Sequence, residues 1–293
     1  KRIKRKMENE KEKRRERRER RGKIKVANSD FCLYYRGFLK IGKDNKMRNI
    51  KLTIEYDGKD FNGWQKQPDK LNIQGNIEKA IETVTGEKVD LMASGRTDRG
   101  VHALGQVANF KTNSQLPIDK FPIAINSNLK KSIRIYSAEE VDEEFHSRLS
   151  CKKKTYRYII NNSKYGTAIY RNLETHIPIK LDIEKMKEAI EYFQGEHDFK
   201  AFKASGTSSK SSIRTIYKAE VKEMPDDRIW IELTGNGFLY NMVRIIAGTL
   251  VDVGLGKINP EDIIKIIKSK KRENAGKTLP PQGLYLVKVE YSK

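Results

Sequence analysis

Cysteine is nearly missing from this 293-residue chain, which holds only Cys32 and Cys151. Two thiols make no disulfide framework, so a reducing, cytoplasmic setting is expected. Histidine is almost as scarce. The four present, His102, His146, His176 and His197, are scattered without the spacing of a ligand set, so no metal is expected. No run approaches the roughly 18 apolar residues of a membrane-spanning helix, and no signal-peptide core stands out. A phosphate-binding glycine loop is missing too, which argues against an organic cofactor. Acidic residues are in deficit, 39 against 60 Lys plus Arg, for a formal net charge of +21. So basic a balance calls for a polyanionic partner, nucleic acid ahead of an anionic membrane.

The excess charge is not spread evenly. Residues 1–46 hold 19 basic and 7 acidic residues, net +12, while the remainder holds 41 and 32, net +9. Residues 1–21 are almost wholly charged and lack the apolar groups a core needs, so disorder or a solvated helix is expected. The segment is either an RNA-binding arm or an appendage outside the function. Met47 directly precedes the first regular strand and is the expected natural start. Deleting residues 1–46 is then expected to leave turnover and site choice intact.

Beyond that point the pattern is α+β. Residues 48–56 alternate apolar and polar like a half-buried strand. Residues 56–68, YDGKDFNGWQKQP, form a turn-rich loop that Phe61 and Trp64 are expected to pin. Asn72 caps a helix with Ile73, Ile77, Ala80, Ile81 and Val84 on one face, and Gly86 ends it. Strands over 89–93 and 101–110 enclose a loop, a helix follows Pro117, and 132–141 is another strand. The second half repeats this order loosely: a strand at 154–161, a helix capped by Asp182, a hairpin at 212–223 and 228–234. A long apolar helix over 238–253, a shorter one from Pro260 and a strand over 284–291 complete it. The expected domains are 47–150 and 151–293, two similar halves with antiparallel sheets and a cleft between them.

The stretch SGRTDRGVHALGQVANF, residues 94–110, carries the chemistry. Gly95 and Gly100 let the backbone turn sharply and bracket Asp98, which Arg96 and Arg99 flank. A nearby guanidinium keeps a carboxylate ionised, which suits a nucleophile or base and not a proton donor. Taken alone, such a loop is equally well a capped turn with solvated arginines.

The nine residues GRTDRGVHA, 95–103, resemble the signature of the tRNA pseudouridine synthase A family. The blocks YDGKDFNGWQKQP (56–68), FHSRLSCKKKTYRY (145–158), NMVRIIAG (241–248) and GLYL (283–286) are similar to the family's other blocks, in its order. The resemblance implies two ferredoxin-like, RRM-like halves around a central RNA-binding cleft. It also implies a homodimer that converts uridine to pseudouridine at positions 38, 39 and 40 of the tRNA anticodon arm. By the same resemblance Asp98 is the nucleophile, at ribose C1′ or uracil C6; a base removing the C2′ proton is a third route. Arg96 would fill the space of the flipped base, Tyr156 would stack on uracil, Arg244 would pair with Asp98 and Leu284 would pack on the base. Phe145, His146 and Arg148 fall in the tRNA-contacting block.

Each residue also has a plainer reading. Arg96 equally suits a phosphate contact, Tyr156 a sheet core, and Leu284 ordinary strand packing. Arg244 lies inside an apolar helix and demands an anionic partner on any reading. The polar loop GTSSKSS, residues 206–212, is either a further RNA contact or solvated. A rival of another class is a non-catalytic RNA-binding chaperone, which has no use for Asp98. A hydrolase would want a second acid/base carboxylate that the loop lacks.

Overall fold

A computed structural model describes residues 46–206 and 211–292. The expectations for residues 1–45 and for the centre of the 206–212 loop lie outside the described residues. The chain is a mixed α+β fold, as its periodicity implied.

In the first half, β1 (Arg48–Tyr56) leads through the 56–68 loop into α1 (Ile73–Thr85). Asn72 caps that helix by accepting from Gly75 N–H at 2.8 Å, and Gly86 ends it at φ 76. Then follow β2 (Met92–Ala93), β3 (His102–Thr112), α2 (Phe121–Ser127) and β4 (Ile133–Val141). The second half holds β5 (Cys151–Asn161), β6 (Thr175–His176), α3 (Ile183–Glu191), β7 (Gly195–Asp198), β8 (Ile213–Met224) and β9 (Arg228–Gly235). It closes with α4 (Met242–Gly254), α5 (Asp262–Ser269) and β10 (Leu284–Tyr291).

The strands join one ten-stranded sheet in the order β4-β1-β3-β10-β5-β9-β8-β7, with β2 on β3 and β6 on β5. Two separate antiparallel sheets were expected; β10 links them. β2 covers only the Ala108–Asn109 end of β3, and a bare strand edge elsewhere would leave its amides and carbonyls unpaired. β10 takes that edge, running parallel to β3 at His102 and Ala103 and antiparallel to β5 along its length.

Strand alternation sends one face into the core: Ile50, Leu52 and Ile54 of β1, and Ile229, Ile231 and Leu233 of β9, are all buried. Phe61 and Trp64, each 1 % exposed, pin the 56–68 loop as expected.

Three differences from the sequence reading have a physical reason. β2 is two residues long, because Leu91 is apolar to fill the core and not to pair. β7, GEHD, has no apolar alternation and forms by pairing with β8. Helix α4 starts at Met242 and not at Phe238, because Asn241 adopts φ 60 and breaks the helical path.

Candidate active site

The Asp98 loop is a turn set by glycine. Val101 N–H donates to Asp98 O at 3.1 Å, and Gly100 sits at φ 77, where a side chain is strained. Beneath it, Thr97 is buried and its Oγ1 lies 2.8 Å from the Tyr56 hydroxyl. Gln106, fully buried, accepts from Ser94 Oγ at 2.7 Å and donates to Gly95 O at 2.9 Å. The loop therefore rests on polar side chains from two neighbouring strands.

The 56–68 loop clamps it from the side. Trp64 N–H donates to Thr97 O at 3.0 Å. A Cβ on Gly63 would stand 2.6 Å from that same oxygen, and one on Gly58 only 2.0 Å from Val101 O. Both glycines are there because backbone meets backbone. His102 is buried beside them: its Nδ1 accepts from Gly58 N–H at 3.1 Å, and its ring stacks on Tyr285 at 4.8 Å. Nε2 faces Asn172 O at 3.1 Å, so the histidine ties the loop to the second half. Burial pushes its pKa below the ordinary value, and Asp57, 3.2 Å from Nδ1, offsets part of that.

Arg244 comes from the first turn of α4 and reaches the same point. Its Nη1 stands 4.0 Å from Asp98 Oδ2; the arginine side chain is 15 % exposed and the aspartate 36 %. Nε donates to Leu279 O at 2.7 Å and Nη1 to Asn241 Oδ1 at 2.8 Å. Burial raises the Asp98 pKa above the usual carboxylate value, while the Arg244 charge pulls it back. Burial likewise lowers that of Arg244.

Tyr156, on β5, is 9 % exposed and meets Phe238 edge-on at 5.1 Å. Among the described residues its hydroxyl has no hydrogen-bond partner. Burial first, then the charges around it, including Asp98, push its pKa upward. Leu284 is buried on β10, opposite Tyr158, whose hydroxyl donates to Pro280 O at 2.7 Å. Arg96 is exposed and has no ion pair or hydrogen bond among the described residues.

The fold thus brings Asp98, Arg244 and Tyr156 together and leaves Arg96 at the rim. Phe145 sits elsewhere, against Tyr291 at 4.9 Å with Lys51 over its ring. His146 Nδ1 accepts from Arg148 N–H at 3.1 Å, and Arg148 itself is exposed. Both belong to a turn that Ser147 anchors on Asn109. The sequence reading missed Tyr56, Thr97, Gln106 and Lys154. The last of these reaches Ser94 O with Nζ at 2.5 Å, in space that the missing Cβ of Gly95 leaves open. Of these only Gln106 carried a signal, a polar residue inside a largely apolar strand. Among the described residues, no three His, Cys, Asp or Glu side chains converge as a metal site would need. No described helix is long and apolar enough to cross a membrane.

A part-buried carboxylate, open on one side and faced by a part-buried guanidinium, makes this a candidate site centred on Asp98. The family model described as tRNA pseudouridine synthase matches residues 52–149 and 189–292. Asp98 lies in the first matched segment, Arg244 and Leu284 in the second, and Tyr156 between them. The chain is 56 % identical over 245 residues to tRNA pseudouridine synthase A of Caldicellulosiruptor saccharolyticus, covering 84 % of this chain and all of the relative. With the same coverage it is 53 % identical to that of Acetivibrio thermocellus and 44 % identical to that of Brevibacillus brevis. This chain belongs to the tRNA pseudouridine synthase family.

Proposed function

We propose that this chain isomerises uridine to pseudouridine in tRNA, with Asp98 as the attacking carboxylate. The observation that carries the reading is the Asp98–Arg244 pair, assembled from both halves of a family member at a separation of 4.0 Å. The reaction breaks the bond between uracil N1 and ribose C1′, turns the base and joins C5 to C1′; C5 loses its proton and N1 gains one, so the product is an isomer. Asp98 attacks C1′ or C6, or acts as the base at C2′. Partial burial strips water from the carboxylate, and Arg244 keeps it ionised.

The remaining roles follow the same reading. Tyr156 stacks on the flipped uracil and Leu284 packs against it. Arg96, unpaired at the rim, enters the stack that the base has left. Arg148, with Phe145 and His146 behind it, meets the tRNA backbone. The substrate sites are positions 38, 39 and 40 of the anticodon arm, the enzyme acts as a homodimer, and it works in the cytoplasm without a cofactor. The two halves are read as ferredoxin-like. In support, the first half runs β-α-β-β-α-β, the second does so once β6, β7 and α5 are set aside, and the orders β4-β1-β3-β2 and β10-β5-β9-β8 then correspond strand for strand.

The test is incubation with unmodified tRNA transcript, followed by mapping of pseudouridine. Wild-type protein should form it, and Asp98→Asn should bind the tRNA but form none. Asp98 binds its proton more tightly in the folded protein than unfolded, so its stability contribution is lost as pH rises through the folded pKa. Asp98→Asn should therefore also raise Tm at neutral pH. Turnover retained in Asp98→Asn, with deamidation excluded by mass, refutes the role of Asp98. Tight binding by wild type without product favours an RNA chaperone.

A further inference from the structure

Asn241 stands at the entrance to α4 in the left-handed region, with φ 60 and ψ 7. Asparagine enters that region more readily than most side chains, yet the position remains strained. A residue before a helix usually stays extended and turns its side-chain oxygen onto the first free amides. Asn241 makes no such cap. Its Oδ1 accepts from Arg244 Nη1 at 2.8 Å instead. That Nη1 is also the atom 4.0 Å from Asp98. The Nε of Arg244 is held by Leu279 O at 2.7 Å, and Leu279 N–H donates back to Arg244 O at 3.2 Å. The segment before Leu279 lies so close to α4 that a Cβ on Gly248 would stand 1.9 Å from Lys277 O.

Arg244 is therefore gripped from two sides, and neither grip is the aspartate. A guanidinium free to face a carboxylate settles at about 2.7–2.9 Å, often bidentate. We infer that Asn241 is a positioning residue that holds Arg244 back from Asp98, an inference that rests on the proposed role of Asp98. At the longer separation the guanidinium supports the carboxylate's charge and leaves its oxygens open to the nucleotide. A bidentate pair would occupy both oxygens. The left-handed backbone is what turns the asparagine from the helix amides onto Arg244. Other groups face the pair: Tyr156 towards Asp98, Tyr158 and Tyr240 towards Arg244, with Arg96 and Arg99 on the loop itself. None of them hydrogen-bonds to either partner among the described residues.

Two substitutions test this with opposite signs. Asn241→Gly keeps the left-handed backbone and removes the acceptor; Asn241→Asp keeps the acceptor and adds a charge. The measurements are the pH profile of kcat for pseudouridine formation on a tRNA transcript, KM and a thermal melt. Asn241→Gly should melt like wild type, keep its KM and lose about tenfold in kcat. Its acid limb should move to lower pH, because Arg244 closes on Asp98 and favours the ionised form. Asn241→Asp should move that limb to higher pH, since a second carboxylate disfavours ionisation of the first. An unchanged limb in Asn241→Gly, with or without a fall in Tm, overturns the inference, because Asn241 then has only a structural part. A shift to higher pH overturns it too, because Asn241 would then be presenting Arg244 and not restraining it. If wild type itself makes no pseudouridine, the proposed function fails first and this inference with it.

Discussion

Removing one oxygen atom, in Tyr56→Phe, should loosen the Asp98 loop without touching Asp98. The Tyr56 hydroxyl lies 2.8 Å from Thr97 Oγ1 and 3.4 Å from Gln106 Nε2, at a residue 2 % exposed. The longer contact is weak, and Gln106 Nε2 keeps its bond to Gly95 O at 2.9 Å. The real loss is the partner of Thr97, whose hydroxyl is then buried unpaired, at a cost of about 1–2 kcal/mol. For a chain of this size that corresponds to a Tm fall of roughly 2–8 °C. Thr97 adjoins Asp98, and on the role proposed for Asp98 small misplacements are costly, so kcat should drop about tenfold. Thr97→Val removes the other partner while keeping the shape. The double variant leaves no orphan hydroxyl and should cost about 1 kcal/mol less than the sum of the singles. Thermal melts and single-turnover rates on the four proteins complete the cycle. Wild-type Tm and kcat in Tyr56→Phe, or strict additivity in the cycle, would show that the loop does not rest on this bond.

Two further outcomes are expected. Tyr156→Phe should keep Tm and most of kcat, because in the proposed role the ring and not the hydroxyl stacks, whereas Tyr156→Leu should lose about tenfold or more in kcat; the reverse ranking would give the work to the hydroxyl. The depressed pKa of His102 means that the folded state binds its proton less readily than the unfolded state, so stability is present above the ordinary histidine value and lost as pH falls below it. Wild-type Tm should therefore drop more than that of His102→Gln between about pH 7 and 5, and parallel curves would exclude the histidine as the cause.

Where local chemistry decides an element, the sequence was enough to find it. Asn72, Gly86 and Asp182 mark helix ends by bonds made within a few residues, and the helices begin and end there. Where an apolar residue serves the core without joining an element, the sequence misled. Phe238 packs on Tyr156 and Leu239 is buried, so the apolar run continues past the true start of α4. The site divides in the same way. The glycines around Asp98 announce a turn, but the arrival of Arg244 depends on packing between segments distant in the chain. Only resemblance to a family anticipated that. The tight glycines Gly58 and Gly63 were unreadable, since what they accommodate is a carbonyl from another loop.

The placement of β10 has a consequence for how the protein is made. A ribosome delivers the Asp98 loop first, then Tyr156, then Arg244, and only afterwards Leu284 and the strand that joins β3 to β5. Until that strand emerges, neither sheet edge has its partner and the two halves have no shared backbone ladder. A nascent chain that already carries Asp98 and Arg244 therefore still lacks Leu284 and the strand that joins β3 to β5. Closing the seam over so long a separation in sequence makes it a late folding step. The ladder between the two halves is complete only when the last strand slides in.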